Sequence, residues 1–291
     1  MVRHAAVAGQ FYSSRASALK AEVEGCFLSP IGPGVLPKLA ANGERRIVGA
    51  MVPHAGLMYS GPVAAHVYSA LASDGFPGTF VIIGPNHHGI GRGVAVSTED
   101  FETPLGTVEV DRDVLSKLKG VVEPDKAAHV YEHSIEVQLP FLQYIRPDIK
   151  IIAISMGYQD YETAKELASS IRKATEGKDV CVIASSDMSH YIPAPVAKDL
   201  DSKVLDRVVA LDAKSVQETV HMNEVSMCGY GPAMAMIMAT EGSKAKLLKY
   251  ATSGDVSPMD QVVGYAGVVV YRRGTSSRDR VRDTNLKEES H

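Results

Sequence analysis

Short apolar runs rich in valine and isoleucine recur at RIVGAMV (46–52), TFVIIG (79–84), GVAVST (93–98), TVEV (107–110), KIIAIS (150–155), DVCVIAS (179–185), KLLKYA (246–251) and AGVVVY (266–271). Branched side chains suit a pleated surface, and runs this short and continuous predict strands of a buried sheet. Residues 14–27, 61–72, 111–119, 133–145, 160–175, 196–211 and 230–240, lying between several of them, carry helical spacing. Strand and helix therefore alternate, and the expected fold is α/β with a central sheet flanked by helices. The runs at 93–98 and 107–110 break the alternation, with only FETPLG-type turn residues between them, which predicts a mixed rather than an all-parallel sheet.

No long Pro, Gly or Ser-rich stretch divides the 291 residues, so one domain is expected over 1–271. The remaining residues, 272–291, lose all periodicity and are mostly polar, as expected of a surface tail that need not be ordered. Lys and Arg total 30 against 34 for Asp and Glu, and the basic residues are scattered, which argues against a nucleic-acid partner. The N-terminal MVRHAAVAGQFY lacks the apolar core of a signal peptide. No run approaches the roughly 18 apolar residues of a membrane span, so the expectation is a soluble, cytoplasmic protein without a membrane partner. The 3 cysteines, Cys26, Cys181 and Cys228, lie far apart and do not suggest a disulfide framework.

The chemistry concentrates where strands end. In VPHAGLMYSG (52–61) a strand runs into His54, then a Gly-containing turn, then a helix expected to begin near Ser60 or Gly61. VIIGPNHHG (81–89) repeats the pattern with His87 and His88. Ligands of open α/β sheets bind beyond the carboxyl ends of the strands, so two such loops can bring their imidazoles together as metal ligands. Taken singly, each His reads as a turn cap or a packed side chain; the recurrence is what points to a site. A third strand ends in SSDMSHY (185–191), where Asp187 and His190 are three apart and an Asp beside a His can orient its ring. The Ser185-Ser186-Asp187 run also reads as a helix cap. Cys228, in SMCGYGPAMAMIMA, precedes a helical segment whose dipole would favour a thiolate and make it the most reactive of the cysteines. Cys26 and Cys181 read as buried apolar groups. In YEHSIEVQLPFLQY (131–144), Glu132 and Glu136 flank His133 without HExxH spacing, leaving His133 as a pocket candidate. His4, His66, His129 and His221 have no motif setting, and exposure or local hydrogen bonding is expected for them.

The motifs PHAGLMYSG, GPNHH, EHSIEVQLPFL, SSDMSHY and CGYGP, in this order and spacing, resemble the Memo family, from GQFY at 9–12 to YAGVVVY at 265–271. The resemblance implies a fold similar to that of the class III extradiol ring-cleaving dioxygenases, with the metal pocket in the same position. It implies metal ligands at His54, His87 and Cys228, with Asp187, His190 and His133 as the candidate catalytic groups nearby. Phe11 and Tyr59 match other pocket positions, and with His88 they are the candidate substrate-binding residues. In animal members the resemblance implies signalling, redox and phosphotyrosine-peptide roles. Tyr230 stands where many members carry Arg.

Ring-cleaving dioxygenases hold Fe(II) with two His and a carboxylate, whereas the third position here is a cysteine. Soft sulfur favours copper(I) or zinc over a purely oxygen and nitrogen site. With the dioxygenase resemblance, the expected cofactor is a transition metal, iron or copper, with zinc as the other choice. Three functions follow in order. The first is a metal-dependent, dioxygenase-like oxidoreductase in which His190 or His133 moves protons. The second is a non-enzymatic protein that binds a peptide or small anion in the same pocket, since fold does not fix function. The third is a zinc hydrolase with Asp187 or His190 as base.

Overall fold

The computed structural model of the chain describes residues 1–273, so the expected tail falls outside it apart from Arg272 and Arg273. In chain order the elements are β1 (Val2–Arg3), α1 (Ala16–Leu28), β2 (Ile47–Val52), α2 (Leu57–Asp74), β3 (Thr79–Pro85), β4 (Val94–Val96), β5 (Asp100–Thr103) and β6 (Gly106–Val110). There follow α3 (Arg112–Lys117), β7 (Glu123–Pro124), α4 (Leu139–Ile145), β8 (Lys150–Met156), α5 (Tyr161–Ala174), β9 (Val180–Ser185) and β10 (His190–Ile192). The chain continues through α6 (Ala194–Val209), α7 (Ala213–Met222), α8 (Tyr230–Thr240), β11 (Lys244–Thr252) and β12 (Val262–Tyr271).

The strands form one mixed sheet in the order β1-β5-β6-β8-β3-β9-β2-β12-β10, with β11 on β12 and β4 on β8. Its middle, β6-β8-β3-β9-β2, is parallel, and β12 runs antiparallel to β2. The continuous apolar runs are explained by burial on both faces. Phe80 and Ile82, Ile151 and Ala153, and Cys181 and Ile183 pack under α1, α2 and α4. The alternate residues Val81 and Ile83, Ile152 and Ile154, and Val182 and Ala184 pack under α3 and α5 to α8. With both layers filled, truncating one central isoleucine to alanine should cost about 2–5 kcal/mol.

Several boundaries differ from expectation, each for a local reason. Helix α2 begins at Leu57, not near Ser60, because the carbonyl of Phe11 accepts from the Leu57 N–H at 2.8 Å and anchors the first turn. The helix expected over 133–145 is confined to α4, preceded by a 3₁₀ turn at Glu136–Gln138. Pro140 sits in the first turn of α4, where its missing N–H costs nothing, and the Glu132 carboxylate captures the N–H groups of His133 and Ser134. FETPLG is not simply a turn: Phe101–Thr103 belong to β5, which forms a hairpin with β6. Helix α7 carried a legible signal that the pattern reading passed over, with Asp212 capping the N–H of Ser215 and Ala213, Val216 and Val220 buried along one side.

Candidate metal centre

Because β2, β9 and β3 are parallel neighbours, their carboxyl ends Val52, Ser185 and Pro85 lie on one edge. Two residues beyond these ends stand His54, Asp187 and His87. Cys228 arrives on the turn before α8. The Gln159 side-chain amide donates to its carbonyl at 2.9 Å, and the Gly229 N–H donates to the Ser186 hydroxyl at 2.9 Å. The approach is close enough to demand glycine: a Cβ on Gly229 would lie 2.5 Å from the Ser185 carbonyl oxygen.

The hydrogen bonds fix how each imidazole faces the pocket. His54 is buried, and its Nδ1 lies 2.9 Å from the Ser185 hydroxyl. That hydroxyl donates its one proton to the Ser134 carbonyl at 2.6 Å and accepts from Gln138 Nε2 at 2.8 Å. Gln138 is held in this orientation because Nε2 also donates to the Pro53 carbonyl while Oε1 accepts from the Tyr68 hydroxyl. Ser185 can therefore only accept from His54, so Nδ1 carries the proton and the Nε2 lone pair faces Cys228 Sγ at 3.4 Å.

His87 reaches the same state by another route. Its Nδ1 lies 2.9 Å from Glu132 Oε1 and its backbone N–H donates to Oε2 at 2.7 Å. Burial raises the Glu132 carboxyl, but the hydrogen bond and charge of His87 and the Ser134 N–H outweigh it, holding the group well below the usual carboxylate range. An ionised carboxylate accepts only, so His87 donates from Nδ1, which leaves Nε2 as the ligand atom of the neutral ring, the arrangement in which an acidic partner orients a metal-binding His.

One ligand atom each from His54, His87 and Cys228 lie within 4.8 Å of one another. Metal bonds of about 2.0–2.3 Å at tetrahedral angles set donor atoms about 3.3–3.6 Å apart, so the set fits a transition metal after a small inward movement. Ligand atoms of His87, Glu132 and His133 also lie within 4.8 Å of one another. The Glu132–His87 contact is better explained as the orienting hydrogen bond, since Glu132 is already engaged by three N–H groups.

The dipole expectation for Cys228 is corrected. Its residue precedes α8 by two positions, and burial, then the Asp187 charge, pushes the thiol well above its ordinary value despite the Asp187 N–H at 3.3 Å. Although the residue is only half-buried, desolvation outweighs the helix end and the thiol is raised rather than lowered. Burial also pushes Cys26 and Cys181 up to about 12.

Asp187 does not orient His190. Its Oδ1 accepts from the His54 N–H at 2.8 Å, and burial, opposed by the His54 and Ala55 N–H groups and the charge of His190, raises its carboxyl to about 6. His190 is turned aside by a bulge in β10 at Tyr191, whose φ is +55°, and donates from Nδ1 to the Ser226 carbonyl at 2.8 Å. Among the described residues its Nε2 has no hydrogen-bond partner.

His133 stacks on His87 with centroids 4.5 Å apart, and burial pushes its imidazole down to about 4. Phe11 covers it at 4.7 Å. Tyr59 instead joins Val63, Ala251 and Tyr265 in a small apolar cluster, and His88 is exposed with its ring 6.1 Å from Tyr131. Of the four histidines without a motif, His4 is exposed and His129 is buried, its Nε2 3.2 Å from the Ala95 carbonyl. Gln138, Gln159 and Ser226 had no sequence signal as site residues, and Glu132 had only its place beside His133; Ser185 was expected in a helix cap, but the chain runs on into β10 and its hydroxyl meets His54 instead.

A family model described as Memo-like protein matches residues 3–269. A MEMO1 family protein of Methanothermobacter thermautotrophicus is 44% identical over 276 residues, 91% of this chain and 99% of that one. Another, from Methanopyrus kandleri, is 46% identical over 285 residues, 94% of this chain and all of that one. A third, from Saccharolobus solfataricus, is 46% identical over 277 residues, 91% and 98% of the two chains. Among solved structures, an uncharacterized protein of Escherichia coli K12 is similar with a TM-score of 0.49 at 14% identity, over 77% of this chain and all of that one. Among the described residues no helix is long and apolar enough to cross a membrane.

Proposed function

Since the chain belongs to the Memo family, we propose that its pocket holds one transition metal through His54 Nε2, His87 Nε2 and Cys228 Sγ and serves a dioxygenase-like oxidoreductase. The observation that carries this reading is the pair of imidazoles whose Nδ1 atoms are engaged by Ser185 and Glu132, with a ring nitrogen of each within 4.8 Å of the Cys228 thiol. Two imidazoles and a thiolate suit copper or iron, with zinc as the redox-silent alternative. Bound copper or iron would supply one-electron chemistry towards dioxygen and an organic substrate. His133 is neutral at pH 7 and His190 keeps Nε2 free, so each can hold or pass a proton at the pocket. Phe11 shields the His133 face from water. The occupant is a small molecule or a peptide end.

The hydrolase alternative is less well supported, because the Asp187 carboxylate is taken up by the His54 and Ala55 N–H groups and is poorly placed to act as a base. The binding-protein alternative gains nothing from charge: among the described residues no Lys or Arg side chain bonds to His54, His87, His133, Asp187 or Cys228. The test is anaerobic purification, metal analysis and oxygen uptake. The expected result is one copper or iron per chain and oxygen uptake that Cys228→Ser abolishes. Zinc at one equivalent with hydrolytic turnover and no oxygen uptake would replace the reading.

A further inference from the structure

The first dozen residues form a strap across the irregular segment that carries Glu132 and His133. Arg3 is buried, and its guanidinium donates to three acceptors of that one segment: the His129 carbonyl at 2.7 Å, the Glu132 carbonyl at 2.6 Å and the Glu136 carboxylate. Its flat face lies over the Phe101 ring, 4.9 Å from the centroid. Glu136, wholly buried, also accepts from the N–H groups of Ala6 at 2.8 Å and Val7 at 3.1 Å and from the Tyr12 hydroxyl. Phe11 then packs on His133 and accepts from Leu57, at the other wall of the pocket.

The geometry points to Arg3 as a positioning residue of the metal centre: by holding the Glu132 backbone it places the carboxylate that fixes the tautomer and position of His87. This rests on the metal-site reading above. A simple fold brace would need only the Arg3–Glu136 pair, but one arm of the fork is spent on the carbonyl of the very residue that orients His87. The three acceptors are met by three different nitrogens of the planar guanidinium, a spread that the single nitrogen of a lysine cannot reproduce.

The test uses Arg3→Lys, which keeps the charge beside Glu136, together with Glu132→Gln and the double variant. In metal-free protein, ¹⁵N spectra of the His87 ring should show a single tautomer protonated at Nδ1 in the wild type and a mixture in Arg3→Lys. With Co(II) as probe, Arg3→Lys should lower affinity about 10-fold or more while keeping the sulfur-to-cobalt absorption of Cys228. The double variant should bind no more weakly than Glu132→Gln alone, because both act through one contact.

An unchanged His87 tautomer in Arg3→Lys, or losses that multiply in the double variant, would overturn the inference. If Arg3→Lys does not fold, Arg3→Met with Glu136→Gln removes both charges together and leaves neither buried alone. It should give the same tautomer mixture, and a single tautomer there would overturn the inference equally. A wild type that binds no Co(II) would instead sink the metal reading, and the metal-free ring spectrum would still decide the role of Arg3.

Discussion

The two imidazoles of the proposed centre are oriented by opposite kinds of structure. His54 is 1% exposed and is gripped by groups at strand ends, Ser185 on β9 and the Asp187 beyond it, with Gln138 behind. His87 has a side chain 28% exposed and leans on Glu132, which sits on irregular chain braced by the N-terminal strap. One wall is built at the strand ends, where a neutral hydroxyl orients the ring and the Asp187 carboxylate holds only the backbone. The other is assembled by side chains far apart in sequence and depends on a buried carboxylate. A centre of this kind should be rigid on one side and adjustable on the other, and its variants should fail differently.

The largest separation is expected between the two ligand deletions. His54→Ala should strip the metal and also lower stability by about 1–3 kcal/mol, because Ser185 and Gln138 lose a buried partner. His87→Ala should strip the metal with a smaller loss of stability, read by chemical denaturation of the metal-free proteins. Equal destabilisation would erase the distinction between the walls.

Gly229→Ala tests the thiol that bridges them. Its Cβ cannot fit 2.5 Å from the Ser185 oxygen, so the turn must shift and carry Cys228 away from His54. The expected cost is about 1–3 kcal/mol of stability with weakened metal binding. Normal affinity with normal stability would show that the turn has slack.

A smaller effect should separate Ser185→Ala from Glu132→Gln, each lowering metal affinity by about 10 to 100-fold. The ring of His87 leans on an ionised carboxylate and that of His54 on a neutral hydroxyl, so Glu132→Gln should show the larger loss of the two. Equal losses in calorimetric titrations would count against the comparison.

The smallest effect is a pH dependence. Folded His133 takes up a proton only near pH 4, whereas an unfolded imidazole does so near pH 6.5. Between these values the unfolded state binds more protons, so this group's contribution to stability is present above about 6.5 and is lost as pH falls towards 4. Asp187, raised to about 6, works in the opposite direction over about 4 to 6. Metal-free His133→Asn should therefore lose less stability on acidification than the wild type, by on the order of 1–2 kcal/mol. Parallel curves would mean that His133 is no more shielded than in the unfolded chain.

The two histidines at the strand ends were legible in the sequence and the side chains that orient them were not, for the same reason. A strand announces itself through branched apolar runs, so the sites beyond Val52 and Pro85 followed from local pattern alone. The mixed sheet followed from the broken alternation near residue 100. Glu132 and His87 are 45 positions apart and Arg3 and Glu136 are 133 apart, and nothing local in either segment records which partner it meets. Asp187 and His190 illustrate the reverse error. Three residues apart, they looked like partners, but the left-handed Tyr191 and the bulge in β10 send His190 to Ser226 instead. Cys228 was found by its turn, yet its protonation is governed by the enclosure around it, which only the folded chain reveals.

The most direct test of the centre is a Co(II) titration of metal-free protein, comparing the wild type with the double variant His54→Ala, His87→Ala. The wild type should bind one equivalent and develop sulfur-to-cobalt absorption, and the double variant, still folded, should bind none at the same concentration. Stoichiometric binding with that absorption in the double variant would contradict the metal centre described here.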